Sequence, residues 1–370
     1  MPNYILSPCG TSLLTNQHSD EEKRLIFKYA NSKSAAEIPP IECQQLQAII
    51  DARENQLLQA SVAEAQKLSA ELNTLITFYQ QPLAHKQDFH FLLCTDTYLG
   101  EATARMVEKW LKQHVTSQVE VYRQKDLQTK SLLPFQLALT ELVRKLSQDL
   151  PQWRSQNYRI IFNLTGGFKS VQGFLQSIAH FYADETLYIF ESATELLRIP
   201  HLPIQLDLNE TVLKHLHTFR RLAQSLPCSD AQMASMPEIF IFQIDGQTTL
   251  SPWGELVWEQ SKKALYAEHV YEPPSERIVY SDKFKKTVAY LSADRKILVN
   301  ERMDQLACCL ETTPSQNPPS LDFKSLQGNP KPPCTHECDA WSDQDAKRIF
   351  AYFSEDKHTL ILENLERKFE

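Results

Sequence analysis

A chain of 370 residues, 42% hydrophobic and 23% charged, has ordinary globular composition and enough length for two or three domains with real cores. Its formal net charge of −8 excludes general attraction to phosphate backbones, so a nucleic-acid contact has to be local or assisted by a partner. No apolar run approaches the ~20 residues that span a bilayer, and the N-terminus lacks the basic-then-apolar order of a secretory signal.

These absences read as a cytoplasmic protein with no membrane contact. The scattered cysteines, several inside apolar patterns such as Phe91-Leu92-Leu93-Cys94, read as buried reduced thiols. The first strand falls at residues 4–8 and ends in the small residues Cys9-Gly10-Thr11-Ser12. Roughly 75 residues separate it from the next strand, too many for one crossover helix. After Pro39-Pro40, the residues Leu46, Ile49, Ile50, Leu57 and Leu58, then Leu68, Leu72, Leu75, Ile76 and Tyr79, recur at helical spacing. This predicts a helical hairpin inserted over about 38–85.

Further strands follow at residues 89–94, ending at Thr95-Asp96-Thr97, and at 119–122. Two more lie at 159–164, ending at Thr165-Gly166-Gly167, and at 186–190, ending at Glu191-Ser192. Amphipathic stretches at 101–114 and 135–150 lie between them. Short buried strands separated by helices predict a Rossmann-like α/β parallel sheet over residues 1–205, covered on both faces. Ligands of such sheets bind beyond the carboxyl ends of the strands, where these polar tails fall.

From 206 to 275 the signals change to a helix at 210–226, a hairpin at 239–250 turning through Asp245-Gly246, and a helix through Trp258 and Leu265. This is a small connector, similar to a winged helix, bounded by Glu272-Pro273-Pro274-Ser275. Residues 276–370 predict helices at 282–291 and 300–309, a proline-rich passage, and strands at 321–326, 334–340, 347–353 and 358–362. Two helices followed by an antiparallel meander make a small α+β domain.

Glycine is scarce, 8 in the chain, and three of them lie in two loops that follow strands: Gly10 and Gly166-Gly167. Such loops let backbone N–H groups approach an anion, and the following helix adds its positive end. By spacing alone they equally read as tight turns capped by Ser and Thr. Neither matches the Walker phosphate loop or the dinucleotide fingerprint. Together, Ser7-Pro8-Cys9-Gly10-Thr11-Ser12 and Asn163-Leu164-Thr165-Gly166-Gly167-Phe168-Lys169-Ser170 resemble the two ligand loops of the CARF domains, CRISPR-associated Rossmann-like sensors. The resemblance covers residues 1–205 and implies a homodimer binding one cyclic oligoadenylate, cyclic tetra-adenylate favoured, across its two-fold axis. A ring with two-fold symmetry suits such an interface. Carried over residue by residue, Ser7, Cys9, Gly10, Thr11 and Ser12 match the first loop. Asn163, Thr165, Gly166, Gly167 and Lys169 match the second, with Lys169 as a phosphate contact; Thr95, Asp96 and Glu191 line the floor.

Residues 321–329 and the strands after them resemble the RelE toxins, ribosome-dependent messenger RNA interferases with a Leu-x-Gly turn before a strand of alternating basic residues. His336 falls where that family has a lysine, Arg348 matches the strand arginine, and Arg367 or Lys368 lies near the terminal one. The resemblance implies attack by an RNA 2′-hydroxyl on the adjacent phosphorus, leaving a cyclic phosphate and a free 5′-hydroxyl. His336 would serve as base or acid and Arg348 as phosphate clamp. Asp339 would orient His336 or act itself, and Lys324, Arg367 and Lys368 would hold flanking phosphates. Alternation places His336 and Cys338 on one face of their strand, Glu337 and Asp339 on the other. RelE toxins are usually basic, whereas residues 283–370 carry thirteen Lys and Arg against fourteen Asp and Glu. Docking on the ribosome would then come from elsewhere, with the helical insertion as a seat for a ribosomal protein, unless it packs on the sheet or the dimer mate.

Cys334-Thr335-His336-Glu337-Cys338 has one residue between successive candidate ligands, too few for a structural zinc site. His336 also reads as a satisfied structural histidine. The resemblance as a whole is to the CARF–RelE effectors of type III CRISPR systems: a cyclic-oligoadenylate-activated, ribosome-dependent endoribonuclease that cuts mRNA without metal or cofactor. Two rivals stay open. One is a ligand-responsive DNA-binding regulator acting through the connector; the other is a ring nuclease that degrades its own ligand.

Overall fold

The computed structural model describes residues 1–80, 82–190, 195–201, 208–244, 246–312, 314–327 and 331–367. Glu191, Ser192, Asp245 and Lys368, named above, lie outside the described residues, as does Gly328 of the Leu-x-Gly turn. The chain divides into two compact units, Met1–Gln205 and Leu206–Glu370.

The first unit is mixed α/β around a six-stranded sheet. Its strands are β1 (Asn3–Pro8), β2 (Phe89–Cys94), β3 (Val119–Arg123), β4 (Arg159–Asn163), β5 (Glu185–Tyr188) and β6 (Leu197–Pro200), in the order β3-β2-β1-β4-β5-β6. The first five run parallel and β6 returns antiparallel to β5. Near-continuous apolar runs are what two covered faces require: Tyr4, Ile5 and Leu6 are buried, as are Phe91, Leu92 and Leu93. β1 pairs with β2 on one side and β4 on the other, so the strand order reverses between β1 and β4. In sheets of this order, ligands bind beyond the carboxyl ends of the strands at such a reversal.

Among the described residues, five α-helices lie between β1 and β2: α1 (Ser12–Thr15), α2 (Asp20–Lys28), α3 (Pro40–Gln59), α4 (Val62–Leu68) and α5 (Ala70–Tyr79). The expected hairpin is thus broken into α3, α4 and α5. Serines make the breaks. Ser61 caps α4 in a reciprocal box with Glu64, and Ser69 caps α5 by accepting from the Leu72 N–H. The insertion buries Leu46, Leu57, Leu72 and Leu75 in one core with Ile5, Leu92 and Ile161 of the sheet. Helices α6 (Tyr98–His114), α7 (Leu132–Ser155) and α8 (Lys169–Tyr182) complete the crossovers.

The second unit begins with α9 (Asn209–Lys214), α10 (Leu216–Ala223) and α11 (Asp230–Ser235), then the hairpin β7 (Ile241–Ile244) and β8 (Gln247–Leu250), and α12 (Pro252–Glu268). It continues with β9 (Ile278–Tyr280), α13 (Asp282–Ala289) and α14 (Ala293–Glu311). The last strands are β10 (Lys324–Ser325), β11 (His336–Trp341), β12 (Lys347–Phe353) and β13 (Leu360–Arg367). The sheet order is β10-β11-β12-β13-β9, antiparallel except that β9 runs parallel to β13. The meander is therefore closed by a strand that sequence periodicity did not reveal. The connector is knit into the same unit. Arg220 of α10 donates from Nε to Asp304 Oδ1 of α14 at 2.7 Å, both side chains being buried.

Candidate functional site

At the β1/β4 reversal the two glycine loops meet backbone to backbone. A Cβ built on Gly10 would stand 3.0 Å from Gly167 N, and one on Gly167, whose φ is +91°, would stand 2.8 Å from Pro8 Cβ. Only glycine allows this approach and this backbone conformation. The second loop is held by Gln172, whose Nε2 donates to Thr165 O at 3.2 Å and Gly166 O at 2.8 Å, and Thr165 Oγ1 accepts from the Ile189 N–H at 3.0 Å. Lys169 opens α8 and is exposed. That helix has no side-chain cap hydrogen bond and no acidic residue in its first turn to offset its positive end. Ser7, Cys9 and Asn163 are buried beneath the loops, and Asn163 Nδ2 donates to Ser7 Oγ at 3.2 Å. Burial pushes the Cys9 thiol well up, with Glu71 adding to it, so Cys9 packs as a neutral thiol.

Glu71, a residue that sequence reasoning passed over, occupies this cradle. It is 1% exposed. Its Oε1 accepts from the Gly10 N–H at 2.9 Å; its Oε2 accepts from Ser69 Oγ at 2.7 Å and from Ser12 Oγ at 3.4 Å. A Cβ on Gly166 would lie 2.1 Å from Oε1, so the second loop lacks a side chain where the carboxylate lies. Asn163 Nδ2 donates to Glu71 O at 3.2 Å, and the Thr74 hydroxyl bonds Thr165. The one sequence signal was an acidic residue two positions after a serine cap, placed in the insertion rather than in the loops.

Thr95 and Asp96 sit at the tip of β2 with their polar atoms engaged. The Thr95 and Thr97 hydroxyls lie 2.9 Å apart. Asp96 accepts from Arg123 Nε at 2.9 Å and from the Asp126 N–H at 3.0 Å, and Lys33 Nζ lies 3.1 Å away. Burial acts to raise the Asp96 pKa, but these donors hold the carboxyl below its usual range.

In the second unit, Arg348 is buried and touches three carboxylates. Its Nη2 meets Asp322 Oδ2 at 3.1 Å, its Nη1 bonds Glu337, and its Nε lies 2.9 Å from Asp339 Oδ1, poorly aligned for a hydrogen bond. Lys324 Nζ pairs with Asp322 at 2.5 Å and, with Arg348, holds that carboxyl below the usual range. The register pairs Asp339 with Arg348 and His336 with Ala351, regularly between those points. Side-chain alternation therefore puts His336 on the face opposite Arg348. The bulge in β11 comes only after Asp339, so Asp339 partners Arg348 and does not orient His336. Ser325 Oγ and Thr335 Oγ1 do so instead, at 3.2 Å from Nε2 and 2.9 Å from Nδ1. Phe323 stacks on the ring at 5.4 Å and Phe353 meets it edge-on at 4.9 Å. Burial lowers the His336 pKa, which leaves a neutral imidazole at neutral pH. Arg367 is exposed, donating from Nε to Asp345 Oδ1 at 3.2 Å. Among the described residues, no group of three or more His, Cys, Asp or Glu side chains is arranged to hold a metal ion, and no helix is long and apolar enough to cross a membrane.

Residues 66–202 match the family model described as CRISPR-associated protein (Cas_APE2256). The match takes in α5 with Glu71, the tip of β2 and the second glycine loop; it leaves out the first loop and all of the second unit, and covers less than half of the chain. A comparison with curated proteins gives no match. The family match supports a CRISPR-associated protein with a role in CRISPR defence.

Proposed function

We propose that the first unit binds a cyclic oligoadenylate, cyclic tetra-adenylate first among them, as a homodimer, and thereby switches on a ribonuclease in the second unit. The observation that carries this reading is the contact of two glycine loops at the β1/β4 reversal beside an uncapped helix end. Small donors, here bonded to Glu71, and a positive helix terminus lie together at that reversal, which supports a phosphate site in a fold of this order. The family match over residues 66–202 adds the CRISPR context.

The ribonuclease part of the reading is metal-independent cleavage of ribosome-bound mRNA. His336, neutral and positioned by two hydroxyls, exchanges one of them for the attacking 2′-hydroxyl and takes its proton. The 2′-oxygen bonds the phosphorus as the bond to the 5′-oxygen breaks, and that oxygen takes a proton from water. Arg348 is ion-paired to three carboxylates, so it serves a phosphate only by exchanging a carboxylate for it. His336 and Arg348 thus mark two separable faces.

Translation in a cell-free extract tests the whole. Cyclic tetra-adenylate is expected to stop translation and leave cleaved mRNA with 5′-hydroxyl ends. Lys169→Ala should raise the ligand concentration required by about tenfold, the scale of one charge-assisted hydrogen bond. His336→Ala should abolish cleavage with ligand binding intact. Ligand-dependent cleavage that persists in both His336→Ala and Arg348→Lys would remove both faces as active sites.

A further inference from the structure

Glu71 carries an inference beyond the presence of a ligand site. The donors that fit a phosphate in the cradle, the Gly10 N–H and the Ser12 hydroxyl, are already given to its carboxylate. Glu71 is 1% exposed and Gly10 is buried, so no ligand anion reaches the Gly10 N–H while the carboxylate stays; Ser12 is half-buried. Two anions side by side in a partly buried site repel one another. Glu71 is also the second residue of α5, where its charge satisfies that helix's own positive end.

We propose that Glu71 is an internal anion that latches the empty site, and that the activator's phosphate displaces it and frees the first turn of α5. This rests on the cyclic-nucleotide reading above and adds its regulation. The mechanical link is on the same turn. Asn163 Nδ2 holds Glu71 O at 3.2 Å, Asn16 Nδ2 holds Leu68 O at 3.3 Å, and the Thr74 hydroxyl bonds Thr165. Beyond it, Leu72, Leu75 and Ile76 sit in the core shared by the insertion and the sheet. Withdrawal of one carboxylate therefore loosens the seat of the insertion, which makes α5 a two-position element that the ligand biases. Gly166 has no side chain in the carboxylate's place, so the latched position is built into both loops.

The latch lowers apparent affinity by the fraction of molecules in which the cradle is occupied. Titration calorimetry with cyclic tetra-adenylate on the full chain reads this directly. Glu71→Gln keeps the size and an acceptor for Gly10 but removes the charge, and Glu71→Asp keeps the charge but shortens its reach. Both are expected to bind about tenfold more tightly than the unaltered protein, the scale of one charge-assisted hydrogen bond lost from the latch, through loss of charge in the first variant and of reach in the second. Hydrogen exchange should show the α5 amides losing protection when ligand is added to the unaltered protein. Unchanged affinity in both variants would make Glu71 a structural residue; weaker binding would make it a direct contact to the ligand. Either overturns the latch while leaving the nucleotide reading standing. Absence of binding by all three proteins would remove the nucleotide reading, and the latch with it.

Discussion

Arg348 shows how a residue's neighbours decide what it is able to do. An arginine 3% exposed in an apolar strand needs counter-charge, and Asp322, Glu337 and Asp339 supply it from two other segments. Arg348→Met is expected to destabilise the second unit by about 3 kcal/mol, at the low end for a broken buried pair because Asp322 keeps some solvent. Urea unfolding of the variant checks this, and no change in midpoint would mean that the cluster is solvated. His90 makes the corresponding case in the first unit. Burial holds its imidazole at about 4, below its ordinary 6.5, against the opposing charge of Asp88. Its Nε2 lies 3.0 Å from Tyr79 OH, which donates to Asp88 Oδ2 at 2.9 Å. With the folded pKa depressed, the unfolded chain binds the extra proton. The stability this gives is full above pH 6.5 and is lost as pH falls toward 4, on the order of 3 kcal/mol in all. His90→Gln should flatten the pH dependence of unfolding over that window; an unaltered slope would contradict it. Alternation along β11 was legible from the sequence, since it needs only a period of two. The side on which Arg348 falls was not, because that depends on strand register, which no local pattern encodes.

At the scale of elements, serine caps decide where the insertion turns. Ser69 ends α4 and caps α5, accepting from the Leu72 N–H at 3.2 Å and donating to Glu71 at 2.7 Å. Ser69→Ala is expected to cost about 1 kcal/mol as a lost cap, and hydrogen exchange should place the loss in the first turn of α5. Exchange raised evenly across α3, α4 and α5 would instead show that the insertion opens as one piece. Apolar periodicity revealed the helices but not their number. The run from Leu46 to Tyr79 keeps one buried stripe while changing direction at Ser61 and Ser69. Strand β12 was plain in the sequence, an apolar run between polar turns, and it spans Lys347–Phe353. Strand β9 was not. Ile278, Val279 and Tyr280 are too few to display a period, and they become a strand only because β13 lies alongside. The cradle was half legible in the same sense: the glycines that follow β1 and β4 stood out, but Glu71 reaches them from 61 residues beyond Gly10.

On the scale of the whole molecule, the second unit includes the connector, and among its described residues lie two apolar clusters, one with Phe219, Trp258 and Tyr266 of the connector and one with Phe284, Met303 and Ile349. Arg220 and Asp304 bind α10 to α14, Tyr266 of α12 donates to the same carboxylate, and Asn300 Nδ2 holds His269 O at 2.7 Å. Asp304→Asn leaves a buried guanidinium without its counter-charge and is expected to cost about 3–5 kcal/mol. Amides of α10, α12 and β12 should then lose protection together. Protection lost from the connector alone would mark it as a separate folding unit. Calorimetric titration of the purified protein with cyclic tetra-adenylate tests most directly the proposal that the glycine loops at the β1/β4 reversal hold the phosphates of a cyclic oligoadenylate. The prediction is saturable binding of one ring per two chains, weakened by Lys169→Ala and lost in Gly167→Val, whose side chain would meet Pro8. Saturable binding that Gly167→Val leaves intact, or no heat of binding at all, would contradict it.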